Sequence, residues 1–435
     1  MGALAPVACA VGLVVAPPAW AEPAPCAARI GPDNVVACAR GASLAASAAR
    51  AEVDALEGRR TAARPVLPSN PSLAVSAGRG FATPSTPGSF TWSAALSQEI
   101  EIAGQRSARL RSAEAEVSAQ RSRVEATERA VAAEAWTALY DTLAAAESAR
   151  LAVRLDAVAQ AVARAAKGRA EAGAGASIDA DVAEAASVRA HQSRLAAERR
   201  VATTSAALTS LLGLDPATAS PRVEGQLVPL LASGDVREVP SAGDAASPSA
   251  ARPVVELPQI RALEAERRAH EARADLLRRA RVPNVTLSVF ARNDWYDERV
   301  VGVGLSVPVP LPQPVGRTNA GEIAESVALG RRAALDAERL RRGARLDLTT
   351  ARAELASREA ELDAFPPGAA DRAEKSLRDL ADEIGAGRLA VRDAIVAEQS
   401  LIDLLEARVE AKRALCLASV DLARAAGLPL ERGPR

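Results

Sequence analysis

The chain has 435 residues, with 54 basic and 54 acidic side chains and no formal net charge. The two signs interleave along the sequence, which excludes the one-sided basic surface that nucleic-acid binding needs. Hydrophobic residues make up 49% but aromatics only 2%; the apolar share is largely alanine, which favours closely packed helices over a bulky enzyme core.

Residues 1–21 read as a secretory signal: Leu4 to Ala16 is apolar, and Ala19-Trp20-Ala21 is an A-x-A cleavage site. No Lys or Arg precedes Arg29, so the usual positive n-region is missing. Export would place Cys26 and Cys38 in an oxidising compartment, where they could form a disulfide; two unpaired thiols fit the sequence equally well. Cys416 lies in a helical pattern and reads as a packed side chain. No later apolar run approaches the roughly 18 residues of a membrane helix, so any membrane crossing falls to strands.

Residues 22–66 hold a helical stretch over Val35–Arg64, and residues 67–105 a first β-hairpin, Leu73–Gly80 with Phe90–Ile102. In the second segment Trp92, Ala94, Leu96, Ile100 and Ile102 alternate with Thr91, Ser93, Ser97, Glu99 and Glu101. One face is apolar and the other polar, as in a barrel strand between lipid and a wet lumen, or as in a half-buried soluble hairpin. Residues 106–214 form a long helical hairpin. Its first arm, from Arg106 to the glycines at 173 and 175, would span about 100 Å at ~1.5 Å per residue. Leu151, Leu155, Val158 and Val162 give that arm a coiled-coil seam. Asp179–Leu212 returns.

A Pro/Ser/Gly-rich linker occupies 215–256, and a similar unit follows. A helix fills 257–282, and a second hairpin fills 283–316, with Val285–Arg292 and Val300–Pro308 as strands. A second long helical hairpin covers 317–427, broken at Phe365-Pro366-Pro367, with a tail at 428–435. Its last helix, Leu389–Ala426, carries Val391, Ile395, Ile402, Leu405 and Val409 at seam spacing, with Glu398 interrupting. The halves align at an offset near 212: Gly173-Ala174-Gly175 on Gly385-Ala386-Gly387, Asp181 on Asp393, and Gly213-Leu214 on Gly427-Leu428. Six of the ten aromatics fall in the two hairpin regions. Phe81, Phe90, Trp92, Phe290, Trp295 and Tyr296 are therefore candidates for aromatic girdles at membrane interfaces. Four strands cannot close a barrel with a lumen, so a membrane-spanning chain must oligomerise.

Leu96-Ser97-Gln98-Glu99-Ile100-Glu101-Ile102-Ala103-Gly104-Gln105-Arg106, leading into a long Ala/Glu/Arg helix, resembles the TolC-type outer-membrane efflux factor family, nearest its CzcC-like cation-efflux branch. Val301-Gly302-Val303-Gly304-Leu305-Ser306-Val307-Pro308-Val309-Pro310-Leu311, with Gly321-Glu322-Ile323 after it, resembles the family's second hairpin exit. The resemblance implies a mainly α fold with a small β part. Duplicated helical hairpins would form a periplasmic α-barrel, and four strands per chain would enter a trimeric twelve-stranded transmembrane β-barrel. It implies an outer-membrane location, a homotrimer, a periplasmic adaptor and an inner-membrane pump of the resistance-nodulation-division type. It also implies adaptor-docking turns at Gly173, Gly175 and Ser177 and at Gly385, Gly387 and Arg388. Asp393, with Asp181 as its counterpart, becomes an aperture carboxylate whose threefold ring would favour cations. The family's aromatic before the second glycine is replaced by Ile384, and its arginine is shifted to Arg388.

No enzyme, cofactor or metal-ligand cluster is expected: His191 and His270 each stand alone in polar helical sequence. The expected function is an exit duct leaning towards heavy-metal cations. Drug efflux and type I protein secretion would use the same architecture. A periplasmic adaptor or a coiled-coil scaffold is the alternative of a different class.

Overall fold

The computed structural model describes residues 26, 29–79, 90–217, 221–232, 257–293, 298–309, 311 and 318–431. The expected signal, most of the 215–256 linker, and Phe81, Trp295 and Tyr296 lie outside these residues.

A two-residue strand β1 (Arg29–Ile30) precedes α1 (Val35–Ala42) and α2 (Leu44–Ala63). The single stretch expected over Val35–Arg64 is thus two helices. Ser43 is extended (φ −64°, ψ 116°), and its hydroxyl accepts from the Ala46 N–H. Such a cap contributes about 1 kcal/mol. The strands β2 (Ser72–Arg79) and β3 (Phe90–Ile100) follow, then α3 (Gln105–Glu171) and α4 (Ser177–Leu211). β4 (Arg222–Val223) pairs in parallel with β1, a short bridge that sequence periodicity does not reveal. The second half repeats the order: α5 (Pro258–Arg279), β5 (Val285–Asn293), β6 (Arg299–Ser306), α6 (Ala320–Asp363), α7 (Ala369–Gly385) and α8 (Val391–Ala425). The break between α6 and α7 falls at the two prolines, with Gly368 left-handed at φ 72°.

The 67-residue α3 is the spine against which α2, α4, α5, α7 and α8 pack. Two apolar clusters hold it. At mid-length Trp136 and Tyr140 are fully buried, their ring centroids 5.3 Å apart. The Trp136 Nε1–H donates to the Leu430 carbonyl (2.7 Å) and the Tyr140 hydroxyl to the Val228 carbonyl (2.8 Å), so the chain's last described stretch and the segment after β4 are tied to the spine. Nearer the turns Leu151, Leu155 and Val162 pack with Leu377, Leu380, Ile384, Val391 and Leu405. This is the seam expected from the 4-3 spacing on α3 and α8.

The four long strands form one antiparallel sheet in the order β2-β3-β5-β6. The β3–β5 pairing joins the two halves of the chain. Leu73, Leu96, Val289 and Val303 make one row across the sheet, and Val75, Ala94, Ala291 and Val301 the next row on the same face. The opposite face carries the rows Ser72-Ser97-Ser288-Gly304 and Ala74-Ala95-Phe290-Gly302.

Candidate functional site

Among the described residues, nothing covers the apolar face of the sheet. Val303 is 83% exposed, Val301 76%, and Leu73, Val75, Val289 and Leu305 are exposed beside them. Phe90 and Trp92 share this face at the end away from the helices, where aromatic girdle residues were expected. Phe290 does not. It lies on the serine face, against Gly302, where an added Cβ would come within 2.6 Å of its ring. The Arg292 guanidinium stands 5.8 Å from the ring centroid. Strand register thus separates Phe290 from the other girdle candidates: it alternates with Val289, and it is Val289 that shares the apolar face with Phe90 and Trp92. The polar face is otherwise lined by small hydroxyls, with Ser72 and Ser97 2.7 Å apart and Ser76 and Ser93 2.8 Å apart.

A polar knot fixes the sheet to the helices. Gln105, buried at the start of α3, accepts from the Ala103 N–H (2.7 Å) and donates to the Val282 carbonyl (3.0 Å) and to Asn284 Oδ1 (3.2 Å). Asn284 donates to Glu99 (2.8 Å), and Arg109 pairs with Glu101. Both halves meet at this knot, so the strand-to-helix angle is set once for the whole unit.

At the far end two turns lie side by side. Gly173 and Gly387 have the same left-handed backbone (φ 73°) and the same bond pattern. Gly173 N–H donates to Ala170 and Ala174 N–H to Arg169; Gly387 N–H donates to Ile384 and Arg388 N–H to Glu383. This is the double carbonyl cap of a helix C-terminus. It corrects the sequence alignment by two residues. Gly173 is equivalent to Gly387, not to Gly385, which is the last residue of α7. The repeated Gly-Ala-Gly triplets attract an alignment that the backbone does not support, because each turn needs only one left-handed residue. Asp393, in the first turn of α8, therefore has Asp179 as its counterpart in the first turn of α4; Asp181 is one half-turn further on. Asp181, Asp393, Gly173, Gly175, Ser177, Gly385 and Arg388 are all exposed. Arg388 is held by Glu383 in a forked pair (2.6 and 2.8 Å), which keeps the Glu383 carboxyl below its ordinary range.

Arg169 was missed in the sequence. From α3 it donates to the Ala174 carbonyl in its own turn (3.1 Å) and to the Ile384 carbonyl in the other (2.8 Å). It occupies the space a Cβ on Gly387 would enter, at 3.2 Å. One arginine among many on a helix carries no sequence signal of such a role. Cys26 and Cys38 sit side by side as thiols beside the mid-length core; burial, with a hydrogen bond that the Cys26 thiol donates to Cys38, pushes the Cys26 thiol up to about 12.

Residues 37–214 match the family model described as outer membrane efflux protein, a span of less than half the chain. Solved outer-membrane channels share the whole architecture. CusC superposes with a TM-score of 0.70 at 13% identity, covering 91% of this chain and 92% of its own. VceC of Vibrio cholerae gives 0.70 at 17% identity, with 92% and 96% covered. CmeC of Campylobacter jejuni gives 0.71 at 15% identity, with 91% and 85% covered. The fold is that of these solved outer-membrane channels. No curated protein matches the sequence significantly. Among the described residues, no helix is long and apolar enough to cross a membrane.

Proposed function

We propose that this chain is one protomer of a homotrimeric exit duct in the bacterial outer membrane, serving a tripartite efflux system. The observation that carries the reading is the four-stranded sheet, apolar on one exposed face and, among the described residues, unpaired at both edges, mounted on helices of which α3 is about 100 Å long. In hydrocarbon each unpaired backbone group costs several kcal/mol, so both edges must be closed. Pairing β6 of one copy with β2 of the next continues the antiparallel order, and three copies of four strands close a twelve-stranded barrel. The serine- and glycine-lined face then borders the lumen. The helices become a periplasmic tunnel, and the paired turns at Gly173 and Gly387 its adaptor-docking end, with an inner-membrane pump of the resistance-nodulation-division type beyond. The duct itself carries out no catalytic step.

Heavy-metal cations are the proposed cargo. The CzcC-like motif around Leu96–Arg106 and the exposed Asp393 carboxylates, gathered by threefold symmetry near the axis, support this reading. Deleting the protein is expected to sensitise cells to heavy-metal ions. Unchanged metal tolerance with raised sensitivity to organic toxins would assign the duct to drug efflux instead.

A further inference from the structure

We propose that the cleft between α3, α4 and α8 is a binding site for a small aliphatic ammonium ion, with Glu398 as its counter-ion. The cleft is a cavity of about 180 Å³ in the helical wall, roughly midway between the turns and the mid-length core. Glu398 interrupts the apolar seam of α8, and the structure turns it into this cavity. The residue is 5% exposed, and its Oε2 has no hydrogen-bond partner among the described residues. A buried carboxylate without a partner is one of the most costly groups a fold can keep. Burial pushes the Glu398 carboxyl above its ordinary range, as it does for Glu406 at the other end of the cleft, where Asp403 adds to the effect.

The rest of the lining selects the class of cation. Leu155 and Ile402 give an apolar wall, while Ser193 and Gln399 are neutral polar residues of the lining, the Gln399 amide donating to Asp403 (2.9 Å) so that its side-chain oxygen is left as an acceptor. An alkylammonium ion offers N–H donors for the carboxylate and these polar groups, and a stem for the apolar wall. A hard divalent cation needs six or more oxygens, and a transition metal needs several His, Cys or carboxylate ligands. Among the described residues no three such side chains gather. Arg189, exposed at the rim, is the chain's own competing cation.

The site belongs to the wall of a single chain and stands apart from the duct reading. Isothermal titration of the full-length protein in detergent with n-butylammonium chloride tests it. Saturable binding is expected, weakened about tenfold or more by Glu398→Gln, since a buried charge pair is lost. It should fall as pH drops through the raised Glu398 value. Arg189→Ala should bind as well as the parent or better. Equal affinity in Glu398→Gln, equal binding of n-butanol, a matching response to magnesium, or loss of binding in Arg189→Ala would each overturn the proposal.

Discussion

Arg169 links the two helical turns through single carbonyl hydrogen bonds to each, and it fills the room left by Gly387. Removing a charged donor from such bonds costs about 1–2 kcal/mol. Arg169→Ala is therefore expected to lower thermal stability by that order and to speed proteolysis at 385–390, as read by limited digestion. Glu398 gives a pH signature. Its folded carboxyl is raised above the ordinary 4.5, so its contribution is fully present below that pH and is lost as pH rises through the folded value. In amine-free buffer the melting temperatures of Glu398→Gln and the parent should coincide below about pH 4.5 and diverge in favour of the variant above it. A constant difference across pH would contradict the burial of that charge. Cys26 and Cys38, already neighbours, are proposed to oxidise on export; closing that short loop adds about 3 kcal/mol, and mass spectrometry of the exported protein under non-reducing conditions checks it. At this scale the sequence disclosed residue types more readily than positions. Glu398 was visible as a gap in a seam, because periodicity exposes an intruder. Arg169 and Asp179 were not, because their roles depend on which backbone atoms the fold brings near.

The strands were legible because alternation with period two fixes which side chains share a face. That rule also settles Phe290, once the register is known. It yields a paired prediction at adjacent positions of β2. Val75→Arg puts a charge on the apolar face and, in the proposed barrel, should destabilise the membrane-inserted state by about 2–4 kcal/mol, whereas Ala74→Arg lies on the serine face, the proposed lumen side, and should insert normally. Recovery of both variants in carbonate-washed outer membranes in equal amounts would sink the face assignment. Helix ends were legible where the chain carries a stop. The prolines at 366 and 367 end α6, and left-handed glycines end α3 and α7. The break at Ser43 was not, since one serine among alanines looks like any helical surface residue until its hydroxyl is seen capping α2. The β1–β4 bridge has two residues per strand and no period to detect.

Over the whole molecule, the duplication matters because each half alone would present a two-stranded hairpin and one pair of helices. The β3–β5 pairing and the Gln105 knot fuse the halves into a single wedge, with the sheet at one end and both turns at the other. Such a wedge keeps a broad apolar surface exposed on one face of the sheet and, among the described residues, leaves the outer edges of β2 and β6 unpaired. Both features were readable in outline from the alternating strands and the absence of a membrane helix. The copy number was not, because closure depends on barrel geometry that one chain does not encode. Cryo-electron microscopy of the full-length protein extracted from membranes tests this most directly. The account predicts three copies around one axis, with β6 of each paired to β2 of the next in a twelve-stranded barrel. A monomer, or an assembly in which the β2 and β6 edges stay unpaired and the Val303 face is buried against protein, would contradict it.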